Sequence, residues 1–192
     1  MPEEITKTDQ ELVKATLEDK HAFLEIVKKY EEAIRRYVKR LGCKDESDVD
    51  DVLQEIFIKV FVNLNDYDLD LKFSSWLYRI AHNETISSFR KRSVRPSVLN
   101  TEDVEGIFEH LADETDFVEL AHQRYDSKIV QSALFEISPK YKEVLVLRFL
   151  EEKSYTEISD ILKMPEGTVA TLINRGKKEL KIALEAKGIK NI

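Results

Sequence analysis

The sequence predicts an all-α architecture of two helical domains joined by an acidic linker, and three observations carry that prediction. Five glycines and four prolines in 192 residues leave little turn chemistry for a β-rich chain. Apolar residues recur at helical spacing over most of the length. Charge is uneven: residues 97–127 hold nine acidic side chains against the single basic Arg124, whereas residues 128–192 hold twelve basic and nine acidic. The acidic stretch lacks a sustained helical stripe until about Asp116 and is read as the linker. Composition makes it a solvated tether, and a basic channel built for nucleic acid could also receive it.

The first helical stretch runs from Asp9 toward Leu41, with Leu12, Val13, Phe23, Ile26, Ile34 and Val38 in its stripe and an interruption expected near Leu17–Lys20. Gly42 ends it. The next helix, Ser47 to Leu64, starts with acids that suit a helix N-terminus. Its stripe of Val49, Val52, Leu53, Ile56, Phe57, Val60 and Phe61 is widened by Ile58 and Val62, so the helix has more apolar surface than one core face needs. Its second face packs inside the domain or meets a partner. After an acidic loop, Asn65–Leu71, a third helix covers Lys72 to about Arg92. Phe73, Trp76, Leu77, Ile80 and Ala81 face inward, with Trp76 read first as core. Tyr78, Arg79, His82 and Asn83 lie round the helix, which ends in Arg90, Lys91, Arg92 and Arg95. Rings and amides beside cations are what an unpaired strand requires.

Ser154 to Lys181, SYTEISDILKMPEGTVATLINRGKKELK, reads as a helix-turn-helix. Ser154 and Glu157 have capping-box spacing, and Pro165 breaks the run and opens the second helix. Val169, Leu172 or Ile173, and Leu180 point inward. Glu166, Thr168, Ala170, Thr171, Asn174, Arg175, Lys177 and Lys178 are left for a partner, and such a face can enter a major groove. The plain alternative is a helical hairpin that only packs. Charge favours the first reading: four basic residues against Glu179 between Thr171 and Ile182, in a chain of net charge −7.

Composition excludes other classes. Cys43 is the only cysteine, so no internal disulfide or cysteine zinc site can form, and His21, His82, His110 and His122 show no ligand spacing. No metal, cofactor or catalytic residue is expected, since no nucleophile–base order or phosphate-cradling glycine loop occurs. No apolar run has the length of a membrane span and the N-terminus has no signal-peptide core, so a cytoplasmic protein without membrane contact is expected.

DVDDVLQEIFIKVF, then FSSWLYRIAHN with a basic cluster, then the acidic linker, then LFEISPKYKEVLVLRFLEEKSYTEISDILKMPEGTV together resemble the bacterial RNA polymerase sigma factors of the extracytoplasmic function group. The resemblance implies a region 2 domain at residues 5–96, a linker at 97–127 and a region 4 domain at 128–186, with no catalysis by this chain. It implies docking on core RNA polymerase, on a coiled coil of the β′ subunit, through Asp51, Leu53, Gln54, Glu55, Phe57, Ile58 and Lys59, with the β subunit as a further contact. Asn65, Asp66, Tyr67, Phe73, Trp76, Tyr78, Arg79, His82, Asn83, Arg90, Lys91 and Arg92 would open the −10 element of promoter DNA and capture an extruded base. Tyr155, Thr156 and the outward residues Glu166 to Lys178 would read the −35 element. An anti-sigma factor is a further partner class.

This sequence departs from the family pattern at three places. Ala170, Thr171 and Leu172 stand where basic residues are usual, which shifts phosphate anchoring toward Arg175, Lys177 and Lys178. Ser87 replaces a usual acid, and Lys163 occupies a turn position that requires left-handed backbone. The rival reading is a helix-turn-helix regulator that binds duplex without polymerase.

Overall fold

The computed structural model describes residues 7–69, 71–92 and 127–189; the linker, Arg95 and the side chain of Arg92 lie outside them. Every regular element among the described residues is helical. The chain divides into two compact units, one formed by Met1–Lys39 with Asp45–Arg95 and the other by Arg40–Lys44 with Pro96–Ile192.

The first unit is built on α1 (Asp9–Glu18), α2 (Phe23–Leu41), α3 (Glu46–Val62) and α4 (Phe73–Arg92). A capping box starts α1: Thr8 Oγ1 accepts from the Glu11 amide, and the Thr8 amide donates to Glu11 Oε2 at 2.7 Å. The expected interruption falls at Asp19, whose carboxylate caps a 3₁₀ turn over Lys20–Ala22. Gly42, at φ 127°, turns the chain out of α2 in a region closed to other residues. Asp45 then caps α3 by accepting from the amides of Ser47 and Asp48. α3 packs on α4, with Val49, Val52, Ile56 and Val60 of the one and Leu77 and Ala81 of the other buried.

The second unit contains α5 (Ser127–Glu136), α6 (Pro139–Leu145), α7 (Tyr155–Leu162) and α8 (Glu166–Ala186). Pro139 sits in the first turn of α6, where a missing amide hydrogen costs nothing. The helix continues as a π turn over Val146–Leu150, which was not expected from the sequence. α5, α6 and α7 all pack on α8. Closest approach falls at Gly176, where a Cβ would lie 3.2 Å from Tyr141 Cβ and Leu145 Cγ.

Candidate functional site

α3 presents two different surfaces. On one side Leu53, Phe57, Ile58 and Phe61 face Phe23, Leu24 and Val27 of α2 across an apolar groove of about 680 Å³. Phe23 stacks edge-on against Phe61 at 5.1 Å between centroids. Leu53 and Phe57 are buried at its floor, while Ile58 and Leu24 on its walls are 48% and 61% exposed; Val62, one turn past Ile58 on α3, is 65% exposed. Gln54 lies on the rim, near Arg35, which is paired with Asp50 at 2.7 Å. On the other side, Asp51, Glu55 and Lys59 line a smaller polar cleft of about 260 Å³ with Glu84, Ser87 and Lys91 of α4. Lys59 is ion-paired with Glu84, one turn before the atypical Ser87. The seven docking residues implied by the sequence are thus divided: Leu53, Gln54, Phe57 and Ile58 at the groove, Asp51, Glu55 and Lys59 at the cleft.

Beyond α3, Asn65 and Asp66 are exposed in a 3₁₀ turn over Leu64–Asp66. Tyr67 and Phe73 are buried and meet the half-buried Trp76, with centroids 5.2–5.7 Å apart. Tyr30 of α2 completes this aromatic group, edge-on to Phe73 at 5.7 Å between centroids. Tyr78 is buried elsewhere, 5.1 Å from the Tyr37 ring, although its register had placed it outside the inward stripe. His82 Nδ1 lies 3.1 Å from the Tyr37 hydroxyl, and burial lowers its pKa to about 4. Arg79 is half-buried; Asn83, Arg90 and Lys91 are exposed.

The helix-turn-helix forms as its capping box suggests. Ser154 Oγ accepts from the Glu157 amide at 3.2 Å and Glu157 Oε2 accepts from the Ser154 amide at 2.9 Å. Lys163 takes the left-handed conformation, φ 54° and ψ 49°. The turn is held by Ser159, whose hydroxyl donates to the Met164 carbonyl at 2.6 Å. Val169 and Ile173 are fully buried, which turns Glu166, Thr168, Thr171, Asn174, Arg175 and Lys178 outward. Ala170, Tyr155 and Lys177 are half-buried and Thr156 is exposed. Lys177 Nζ lies 5.3 Å over the Phe149 ring, and the Arg148 guanidinium 5.6 Å over Tyr155. Arg148 and Phe149 escaped the sequence reading because they precede the motif and converge on it only through the π turn. No group of metal-binding side chains and no helix able to cross a membrane occurs among the described residues.

The family model for sigma-70 region 2 matches residues 26–95, and that for sigma-70 region 4 matches residues 127–180. The ECF RNA polymerase sigma factor SigW of Bacillus subtilis is 36% identical over 168 residues, covering 85% of this chain and 89% of that protein. The RNA polymerase sigma-H factor of Pseudomonas aeruginosa is 33% identical over 183 residues, covering 92% and 94%. The fold matches CnrH, solved with the cytosolic domain of CnrY, at a TM-score of 0.67 and 24% identity over 93% of this chain and 97% of that one. Helical units with a helix-turn-helix, matched in this way, define a regulatory factor of transcription initiation. The chain belongs to the sigma-70 family of RNA polymerase sigma factors, in its extracytoplasmic function group.

Proposed function

We propose that the chain docks on core RNA polymerase through α3, opens the −10 element with the loop after α3 and with α4, and reads the −35 element with α8. Region 2 then corresponds to residues 5–96 and region 4 to residues 128–186, with 97–127 as a tether. The observation that carries the reading is the groove between α2 and α3. Leu24 keeps 61% of its surface exposed there and Ile58 48%, so covering the two would contribute about half of the 1.5–3 kcal/mol that full burial of such a side chain is worth. A helix of the β′ subunit fits such a groove by the helix-in-groove mode.

Chemistry rests with the polymerase, and this chain supplies the address, in the cytoplasm where transcription takes place. The solved relatives CnrH and RpoE are each seen with a partner, the cytosolic domain of CnrY and the anti-sigma factor NepR. An anti-sigma factor is therefore a second partner class. Run-off transcription with purified core polymerase over a promoter library tests the reading. Discrete start sites that depend on the chain are expected. Failure to join core polymerase, with tight binding to duplex alone, would instead establish an independent regulator.

A further inference from the structure

The first turn of α1 grips the loop that follows α3. The Gln10 side-chain amide donates to the Leu69 carbonyl at 3.3 Å. One residue earlier, Asp9 accepts from the Tyr30 hydroxyl at 2.7 Å and pairs with Lys29 at 2.8 Å. Tyr30 stands edge-on to Phe73, Phe73 edge-on to Tyr67, and the Tyr67 hydroxyl donates to the Leu71 carbonyl. α1 thus reaches the loop by two routes, directly at residue 69 and through three rings at residue 71. Leu69 and Leu71, which carry these anchored carbonyls, keep 37% and 46% of their surface exposed.

We propose that Gln10 is a positioning residue for base capture: by holding the Leu69 carbonyl it fixes the loop so that Leu69 and Leu71 form an apolar wall for one unstacked −10 base. The inference rests on the reading of Asn65–Leu71 as the base-capturing loop. Extruding a base costs a few kcal/mol of stacking, which contacts to the base faces must offset. Fixing a loop residue at the moment of capture would add the cost of ordering its backbone. A loop held beforehand avoids that cost. Gln10 is exposed, so its replacement removes a hydrogen bond without opening the core.

The test uses holoenzyme made from the full chain and core polymerase, on a promoter that wild-type holoenzyme selects from a randomised library. 2-Aminopurine, whose fluorescence rises on unstacking, is scanned across the −10 element to find the extruded position. Gln10→Met has no donor and no charge, whereas Gln10→Lys keeps a donor. Gln10→Met should slow the fluorescence rise about fivefold, as expected for one neutral hydrogen bond, with core association and melting temperature unchanged. Gln10→Lys should restore the rise, and the rescue should survive raised salt, which separates it from charge attraction. A wild-type rise in Gln10→Met, beside a lost rise in Leu69→Ser/Leu71→Ser, overturns the role of Gln10 and leaves the loop reading standing. A normal rise in both variants overturns the loop reading and the proposal with it, and failure of the lysine rescue overturns the proposal alone.

Discussion

At Gly176 a methyl group would press on Tyr141 Cβ and Leu145 Cγ at 3.2 Å. Alanine normally stabilises a helix by about 0.5–1 kcal/mol over glycine. Here the Leu145 side chain can shift but Tyr141 Cβ is fixed to backbone, and overpacking costs about 1–3 kcal/mol. Gly176→Ala should therefore destabilise the second unit by about 1 kcal/mol, read from denaturant midpoints. His82 sets a different dependence. Its folded pKa of about 4 lies below the ordinary 6.5, so the unfolded chain takes up the proton first as pH falls. The stabilisation from keeping the ring neutral is complete above about pH 6.5 and is lost between there and about pH 4. Unfolding midpoints should drop more steeply across that window in the wild type than in His82→Gln, which cannot titrate.

Of the three helices that carry the proposed interfaces, α3 and α8 can each be tested with their own fold as control. Ile58→Asp or Gln54→Arg alters the rim of the groove without touching the floor, and should abolish association with core polymerase at unchanged stability. Phe57→Ala should also cost about 3–5 kcal/mol of stability, because that ring is buried. In α8, Arg175→Ala should lower the salt slope of holoenzyme binding at the −35 element by about one, the signature of one lost phosphate contact. The sequence makes the wide apolar surface of α3 legible, since Ile58 and Val62 widen its stripe and both stay exposed. It cannot say that Phe23 and Leu24 form the opposite wall, because that adjacency arises only from packing of distant segments. The Ser154–Glu157 box was readable from spacing, and Thr8–Glu11 carries the same signal at the start of α1. Tyr67 and Tyr78 show the limit of periodicity: a hydroxyl on an aromatic ring suits a buried or an open site equally, and only the neighbours Phe73 and Tyr37 decide. The π turn leaves no mark in composition, because a bond from residue i to i+5 depends on the packing around the helix.

For the molecule as a whole, a net charge of −7 sets the terms of nucleic-acid binding. Phosphate neutralisation supplies most non-specific affinity, and a chain with this excess of acid supplies little of it alone. The purified chain should leave promoter duplex unshifted at physiological salt, and the same duplex should be bound once core polymerase is added. A mobility shift with and without polymerase measures this directly.

The π turn at Val146–Leu150 also sets a phase. Each residue advances an α-helix by about 100°, and one wide turn absorbs a residue without disturbing what lies before or after it. Upstream, Tyr141 and Leu145 keep their seat on Gly176; downstream, Phe149 keeps its place under Lys177. Shortening this stretch by one residue would restore ordinary helical winding and keep the two groups in phase, whereas an insertion outside the wide turn would rotate one against the other by about 100°. The wide turn thus works as a slip joint, taking up a change of one residue in its own five while the seat at Gly176 and the contact under Lys177 stay where they are.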